Sequence, residues 1–261
     1  MPPLPPQREK RIVGTSLKMY FDLPTTQSYI AGVAELDDLA ASQNVDLFVI
    51  PDFVSIVPSE QALRGTAIML GAQDCMWEAS GAFTGEVSPL TLRQAGVKIV
   101  EMGHAERRRL FGESDESVAK KAAACAAQGL VPLVCVGEVQ KPRSPSASQA
   151  VGQAVEEVKG QVMSALRAVP GEAEVVLAYE PVWAIGASQP ADADHVVGVT
   201  TEIRRMAAEM GRRGRVRVLY GGSAGPGTFE RIKDGVDGLF LGRFAHDLGN
   251  LKKVIEEIGA A

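Results

Sequence analysis

The sequence predicts an α/β domain in which eight parallel strands close into a barrel surrounded by helices, a (β/α)₈ architecture. Three observations support this prediction. The chain has 261 residues, close to the roughly 250 that such a barrel typically needs. Short apolar runs alternate with helical patterns along the chain. Aromatic residues make up only 5% of the chain, within a hydrophobic content of 46%, which favours parallel strands packed by Val, Leu and Ile.

The predicted strands and helices follow one another in strict order. Each strand is a short β-branched or apolar run, and each helix has apolar residues at helical spacing. Strands are expected near residues 12–14, 47–51, 67–71, 97–101, 131–136, 175–179, 216–220 and 238–241. Helical patterns lie between them, for example at residues 26–41, 116–128, 148–168, 192–210 and 246–258. This alternation implies parallel pairing through βαβ units, and eight units in this length imply a closed barrel.

The barrel is expected to occupy residues 11–261, after a short Pro-rich tail at residues 1–10. The Pro/Ser-rich stretch at residues 141–148 is interpreted as a surface loop, because the alternation resumes after it. An open dinucleotide-binding sheet is the main alternative α/β fold. That fold requires a Gly-x-Gly-x-x-Gly turn after the first strand, whereas this strand leads into Gly14-Thr15-Ser16-Leu17-Lys18.

Charge and cysteine content argue against several classes of function. A net charge of −5 and a pI of about 5.4 are unfavourable for binding nucleic acid or an anionic membrane. No apolar run reaches the roughly 18 residues of a membrane span, and the N-terminus lacks the apolar core of a signal peptide. The three cysteines are widely spaced without a Cys-x-x-Cys motif, which indicates reduced thiols in a cytoplasmic protein and no metal site.

Polar side chains follow the carboxyl ends of the predicted strands, and these ends supply the catalytic groups of such barrels. They are Ser16, Lys18, Gln73, His104, Glu138, Glu180, Ser223 and Arg243. Several ionisable groups on one rim are hard to explain by solubility alone. We therefore expect all of them to face one active site.

Residues 178–186 are the most informative stretch. An apolar run stops at Glu180, and a rigid Pro-Val-Trp hinge then leads to small residues around Gly186. A lone Glu-Pro more often caps a strand before an ordinary loop. The full pattern instead predicts a general base at a strand end with a mobile cover, here called the lid segment (residues 185–191).

Two further residues have the chemistry of a proton-transfer site. Lys18 is at a strand end, where an ammonium could neutralise a phosphate or a developing oxyanion, although most lysines are simply surface groups. His104 precedes a helical segment, whose N-terminus favours a neutral imidazole that can donate a hydrogen bond to a carbonyl. Glu106 could pair with Lys18 or could be a first-turn helix carboxylate. Structural roles are expected for Arg107, Arg108, His195 and His246.

Glycine-rich turns after the last two strands predict a phosphate site. Residues 220–227 and 238–243 supply backbone N–H groups of the kind that bind phosphate. Loops after strands seven and eight form such a site in many barrels. Because Gly186 is expected nearby, the three segments together predict binding of a small phosphorylated molecule.

Together, these segments resemble the triosephosphate isomerase family, over nearly the whole chain from about residue 12. The matching segments include Gly14-x-x-x-Lys18-Met19, Gly71-Ala72-Gln73, residues 81–86, Gly103-His104-x-Glu106-Arg107-Arg108, the segment around Glu180, and Tyr220-Gly221-Gly222-Ser223. The resemblance implies a TIM barrel and a cofactor-independent isomerase. Such an enzyme moves a proton between adjacent carbons of a sugar phosphate through a cis-enediolate.

The resemblance also implies roles for single residues. Glu180 would be the base, His104 the electrophile and Lys18 the electrostatic partner. The positions implied for phosphate binding are Gly186, Ser223, Gly242 and Arg243. The long loop at residues 73–86, with Trp77, Phe83 and Thr84, would dock into a second copy of the chain and form a homodimer.

The chain departs from the usual family sequence around the expected pocket. Ser16 stands where the family usually has Asn, Leu17 where it has Trp, and Ala105 where it has Ser. The lid tip at residues 186–189 reads Gly-Ala-Ser-Gln instead of Gly-Thr-Gly-Lys, and Arg243 replaces a second glycine. Since the changes at residues 16 and 105 remove volume, we expect a wider pocket for a larger sugar phosphate, with Ser16 contacting it.

Gly14-Thr15-Ser16 and residues 238–243 (Gly-Leu-Phe-Leu-Gly-Arg) are similar to one branch of the family, the L-erythrulose-1-phosphate isomerases of tetritol catabolism. This implies conversion of L-erythrulose 1-phosphate into D-erythrulose 4-phosphate. Three alternatives stay open: a glycolytic triosephosphate isomerase, a Schiff-base aldolase that uses Lys18, and an inactive barrel that serves as a binding or scaffold protein.

Overall fold

The computed structural model describes residues 10–144 and 146–261. Its eight strands are all parallel and form one closed barrel in sequence order, with the last strand pairing back to the first. The strands are Arg11–Ser16 (β1), Val45–Ile50 (β2), Met69–Ala72 (β3), Ile99–Met102 (β4), Val131–Val136 (β5), Val175–Tyr179 (β6), Val216–Tyr220 (β7) and Gly238–Leu241 (β8). The predicted closed barrel is confirmed.

The predicted starts of β3 and β4 were two residues too early. Val97 is apolar and fully buried, which is why it was assigned to a strand. Its amide instead donates to the Leu92 carbonyl at 3.1 Å and so closes the preceding helix. Burial alone does not distinguish a helix end from a strand start.

Helices cover the outside of the barrel between the strands. They are Leu23–Ala34 (α1), Asp37–Ser42 (α2), Ile56–Leu63 (α3), Pro89–Gln94 (α4), Ala105–Phe111 (α5), Asp115–Ala127 (α6), Ala147–Ala168 (α7), Ala193–Glu209 (α8), Thr228–Ile232 (α9) and Leu248–Ala260 (α10). No helix in the described ranges is both long and apolar enough to cross a membrane.

Two predicted helices differ from the structure by more than one residue. The single helix expected at residues 26–41 is divided into α1 and α2, because the chain turns at Leu36, whose N–H donates to the Val33 carbonyl. The last helix begins at Leu248 instead of residue 246, because the Asp247 carboxylate caps it by accepting the Asn250 amide at 2.9 Å. His246 therefore lies in the short 3₁₀ turn Arg243–His246 before α10.

The inside of the barrel is a packed apolar core. Alternate residues of the strands point inward and fill it: Ile12, Phe48, Ile50, Ile99, Leu133, Cys135, Val176, Ala178, Leu219 and Phe240. A second, larger apolar cluster lies between the strands and the helices. Because side chains fill the interior, a ligand can reach the barrel only at its rim.

Other sequence predictions concern segments outside the barrel. Nearly all of the predicted tail, residues 1–9, lies outside the described residues. Residues 141–144 have no regular structure, and α7 begins at Ala147. Cys75, Cys125 and Cys135 are free, buried thiols, and burial raises the pKa of Cys135 well above its usual value.

Candidate active site

A cavity of about 740 Å³ lies at the carboxyl ends of the strands, within the size range of ligand pockets. Its lining includes Ser16, Lys18, Tyr20, Glu101, His104, Glu106, Glu180, Gly186, Ser223, Phe240, Gly242 and Arg243. The structure therefore brings together the three residues expected to be catalytic and all five expected to bind substrate or phosphate. Arg107, for which a structural role was expected, is not part of the lining.

Lys18 reaches the cavity from the turn after β1. Its backbone adopts a left-handed conformation with φ of 50°, which is uncommon and strained for a residue with a side chain. The Gln73 side chain stabilises this turn by donating to the Lys18 carbonyl at 2.8 Å. Gln73 thus positions the lysine and does not itself line the cavity.

Glu106 pairs with Lys18 across the cavity mouth. Lys18 Nζ donates to Glu106 Oε1 at 2.8 Å, and Glu106 also lies in the first turn of α5, so both roles considered for it occur. Burial lowers the pKa of Lys18, but the hydrogen bond and charge of Glu106 outweigh this, and the pKa is raised overall. Lys18 is therefore a protonated ammonium.

His104 caps the N-terminus of α5 with its imidazole. Its Nδ1 accepts the Glu106 backbone N–H at 3.1 Å, so in the neutral ring the proton is on Nε2. His104 Nε2 lies 3.6 Å from Glu180 Oε2, and both side chains are buried. The histidine therefore presents an N–H donor beside the carboxylate.

Glu180 directly follows β6, and its backbone is still held by the sheet, because its N–H donates to the Val136 carbonyl at 2.8 Å. Its Oε2 is buried and accepts no hydrogen bond from the described residues. Gly221 leaves room for this side chain, since a Cβ there would lie 2.6 Å from Glu180 Oε1.

The lid segment is tied at both ends to the end of β7. Ser223, which has a left-handed φ of 53°, donates through Oγ to the Ala184 carbonyl at 2.8 Å. At the other end, the Ala191 N–H donates to the Tyr220 hydroxyl at 2.8 Å. Gly186 and the rest of the tip are exposed over the cavity.

The loop after β8 completes the rim with Gly242 and Arg243. The Arg243 guanidinium is exposed and lies 5.8 Å from the centre of the Tyr20 ring, close enough for a cation–π contact. The same loop ends in His246, whose ring contacts Phe21 at 4.5 Å between centroids. His246 thus packs against the loop after β1.

The family model described as triosephosphate isomerase matches residues 11–258 of the chain. The chain belongs to the triosephosphate isomerase family. It is therefore an isomerase, as the sequence predicted, and its barrel is the TIM barrel of that family.

Curated relatives named L-erythrulose-1-phosphate isomerase are similar over almost the entire chain. The protein from Pectobacterium atrosepticum is 41% identical over 254 residues, covering 95% of each chain. The protein from Rhizobium etli is 41% identical, covering 95% of this chain and 92% of its own. The protein from Rhizobium meliloti is 40% identical, with coverages of 95% and 97%. The predicted resemblance to this branch of the triosephosphate isomerase family is confirmed.

In this member of the triosephosphate isomerase family, Glu138 does not line the active-site cavity. The sequence predicted that it would face this site. It is fully buried under the lid hinge. Its carboxylate accepts hydrogen bonds from Trp183 Nε1 at 2.8 Å and from the Tyr179 hydroxyl at 3.0 Å. His195 Nε2 lies 3.2 Å away. Glu138 therefore anchors the hinge, and His195 has the structural role expected for it.

Arg107 and Arg108 lie behind the site and form ion pairs. Arg107 Nε is 2.6 Å from Asp74 Oδ2, and Arg108 contacts Asp115 at 2.6 Å. Lys121 also binds Asp74 at 2.8 Å. These pairs connect α5 and α6 to the turn after β3 and so hold the helix that His104 caps.

Glu101 is the main site residue that the sequence reasoning missed. The apolar run at residues 97–101 predicts only a strand end at this position, but Glu101 lies within β4 and points inward like Ile99. It is only 3% exposed, and Ser16 Oγ donates to its Oε2 at 2.7 Å. Burial raises the pKa of Glu101 to about 7. Electrostatic attraction to His104 and Lys18 and the Ser16 hydrogen bond oppose this shift, and the Glu180 charge adds to it. A carboxylate at an inward position of an apolar strand is the signal that could have revealed it.

The long loop at residues 73–86 presents large apolar side chains to solvent. Trp77 is 37% exposed and Phe83 is 40% exposed, and Thr84 is exposed beside them. Trp77 also lies under the Lys120 ammonium, which is 5.8 Å from the ring centre. An exposed aromatic loop of this kind is typical of a protein–protein contact.

Proposed function

We propose that the chain converts L-erythrulose 1-phosphate into D-erythrulose 4-phosphate, as part of tetritol catabolism in the cytoplasm. The observation that carries the proposal is the meeting of Glu180, His104 and Lys18 in one cavity, with the two buried side chains 3.6 Å apart. The names of the similar curated proteins support the choice of substrate. The three buried free thiols are compatible with a reducing compartment.

The proposed reaction moves one proton between neighbouring carbons. In L-erythrulose 1-phosphate the carbonyl is C2, beside the phosphate-bearing C1. Glu180 removes the proton from C3, which gives a C2–C3 enediolate. The hydroxyl proton on the C3 oxygen moves to the C2 oxygen, and Glu180 returns a proton to C2, so that the carbonyl is now at C3. General base catalysis of this kind typically contributes about 10² to 10⁴ in rate.

His104 and Lys18 stabilise the charge that develops on the two enediolate oxygens. The Nε2–H of His104 donates to them as a neutral hydrogen-bond donor, and the Lys18 ammonium supplies positive charge. A single donor placed for a developing oxyanion is typically worth about 10² to 10³ in rate. Glu106 keeps Lys18 charged and in place through its 2.8 Å ion pair.

The phosphate is proposed to bind at the loops after β7 and β8 and under the lid. Ser223, Gly242 and Gly186 face the cavity there with backbone N–H groups or small side chains. Arg243 adds a positive charge to the rim. Because an enediol phosphate readily loses its phosphate, the lid segment is needed to exclude water during the reaction.

The residue at position 16 supports the choice of a four-carbon substrate. L-erythrulose 1-phosphate is dihydroxyacetone phosphate with a hydroxymethyl group on the reacting carbon. Ser16 is shorter than the Asn usual at its position, and it lies at the floor of the cavity. The room gained there is where the additional group would fit.

A side-by-side assay tests this proposal. The purified chain is given L-erythrulose 1-phosphate and D-glyceraldehyde 3-phosphate, and kcat/KM is measured for each. We expect a preference for the four-carbon substrate of about 10²-fold or more, because pockets that bind a substrate hydroxyl discriminate strongly against analogues that lack it.

Each other outcome of the assay contradicts the proposal. A preference for the three-carbon substrate would indicate an ordinary triosephosphate isomerase. No activity on either would favour a binding or scaffold protein. Trapping of a covalent adduct at Lys18 by borohydride would favour an aldolase. The Glu180→Gln variant, purified in the same way, controls for contaminating isomerases.

We also propose that the chain forms a homodimer through the loop at residues 73–86. The exposed Trp77, Phe83 and Thr84 support this, since buried aromatic side chains dominate most interfaces. Light scattering is expected to give twice the chain mass of 27.7 kDa. Phe83→Asp is expected to weaken the dimer by about 10-fold or more in dissociation constant. A stable, fully active wild-type monomer would contradict the proposal.

A further inference from the structure

We propose that Glu101, with Ser16, forms the subsite that binds the terminal hydroxymethyl group of the substrate, which makes Glu101 a specificity-determining residue. This inference rests on the proposed four-carbon substrate. It assigns a role to a carboxylate that the proton transfer itself does not require.

The position of Glu101 on the strand places its side chain in the cavity. Side chains alternate along a strand, and Ile99, two residues earlier, belongs to the packed barrel interior. Glu101 therefore also points inward, one layer higher, where the packed core ends and the cavity begins. It forms the cavity floor together with Ser16 and Phe240.

The hydrogen bonds of Glu101 leave one oxygen available. Ser16 Oγ donates to Oε2 at 2.7 Å. Among the described residues no other group donates to this carboxylate, and no lysine or arginine forms an ion pair with it. Oε1 can therefore accept a hydrogen bond from a ligand in the cavity.

Stability does not explain a carboxylate at this position. Burying a carboxylate disfavours its charged form, and burial accordingly raises the pKa of Glu101 to about 7. The usual structural compensation, an opposite charge within ion-pairing distance, is absent from the described surroundings. An apolar residue would pack in the same layer without this penalty, so a ligand is the better explanation.

The order of groups in the substrate matches the arrangement of the strands. The proposed phosphate site is formed after β6, β7 and β8, and β4 lies directly opposite β8 in the closed ring. In L-erythrulose 1-phosphate the hydroxymethyl group is bonded to C3, on the far side of the reacting carbons from the phosphate. A substrate with its phosphate under the lid and C3 beside Glu180 therefore directs this group towards β4.

The chemistry of the two partners also matches. A primary hydroxyl donates one hydrogen bond and accepts others, while a carboxylate oxygen accepts and the Ser16 hydroxyl can do both. The hydroxymethyl group can therefore donate to Glu101 Oε1 and contact Ser16. A three-carbon substrate has a hydrogen at this place and gains nothing from the carboxylate.

The test combines variants of Glu101 with a substrate that lacks the hydroxyl. Wild type, Glu101→Leu and Glu101→Gln are assayed for kcat/KM with L-erythrulose 1-phosphate, with its 4-deoxy analogue, and with D-glyceraldehyde 3-phosphate. The assays are run at about pH 8, where a carboxyl group with a pKa of about 7 is mostly ionised. Hydrogen bonds to charged groups are strong, so we expect Glu101→Leu to lower kcat/KM for L-erythrulose 1-phosphate by about 10- to 100-fold. For the other two substrates the change is expected to stay within about threefold, as in a double-mutant cycle.

The outcomes separate this inference from the function on which it rests. Wild type without activity on L-erythrulose 1-phosphate would refute the proposed function itself. An active wild type in which Glu101→Leu reduces all three substrates equally, or none, would overturn the subsite alone. If the leucine variant does not fold, the isosteric Glu101→Gln decides. Its neutral amide oxygen accepts a weaker hydrogen bond than a carboxylate, so kcat/KM must fall only for the substrate that has the hydroxyl, by a smaller factor than in the leucine variant.

Discussion

Glu180→Gln is expected to lower kcat by about 10³- to 10⁴-fold, because an amide cannot take the proton from C3. Glu180→Asp is expected to lose about 10²-fold or more, since it keeps the base but withdraws it by one methylene, and a displacement of about 1 Å can have an effect of this size. Both variants are measured by steady-state kinetics with L-erythrulose 1-phosphate as substrate.

The position of Glu180 explains why a small displacement should be so harmful. Its backbone N–H remains bonded to Val136 at the end of the sheet, so the shorter side chain cannot move forward to compensate. Circular dichroism and thermal unfolding of both variants serve as controls for folding. Turnover near the wild-type rate in either variant would show that another group is the base.

Gly238→Ala is expected to prevent the barrel from closing. A Cβ at this position would lie 1.5 Å from the Ile12 carbonyl oxygen, and Ile12 is the residue that pairs with Gly238 between β1 and β8. The clash is with backbone, so no side chain can rotate away from it. We expect the free energy of unfolding to fall by more than about 4 kcal/mol, which is the range of the most severe single substitutions. The loss is measured by urea denaturation, or is seen as a failure to accumulate soluble protein.

Gly152→Ala is the matched control for this substitution. Gly152 lies within α7, and a Cβ there would meet nothing within 4 Å. Replacing a helical glycine by alanine typically stabilises by about 0.5–1 kcal/mol. If the two variants had similar stability, the close approach of β8 to β1 would not be a constraint on the fold.

Much of the barrel could be predicted because its signals are local. Each strand is a short apolar run, and several of the polar residues that follow the strands reach the rim, as with Lys18, His104 and Glu180. These positions depend only on where a strand ends. Eight βα units in a chain of this length then imply that the strands close into a barrel.

The rest of the site depends on contacts that no local pattern encodes. Glu101 faces the cavity because it points inward, as Ile99 does two residues earlier on β4, and because the packed core ends one layer below it. Glu138 turns away from the cavity because Trp183, Tyr179 and His195 together supply its donors. The break between α1 and α2 depends on a turn at Leu36 within an otherwise continuous helical pattern.

One uninterrupted piece of chain runs from the Glu180 carboxylate through the hinge to the tip at Gly186. A ligand group that draws the tip inwards therefore also acts on the placement of the carboxylate. A sugar without the phosphate is consequently expected to have a lower kcat as well as weaker binding, because binding energy from a remote part of a substrate can be used at the reacting centre. The enzyme would therefore enolise unphosphorylated ketoses in the cell only slowly.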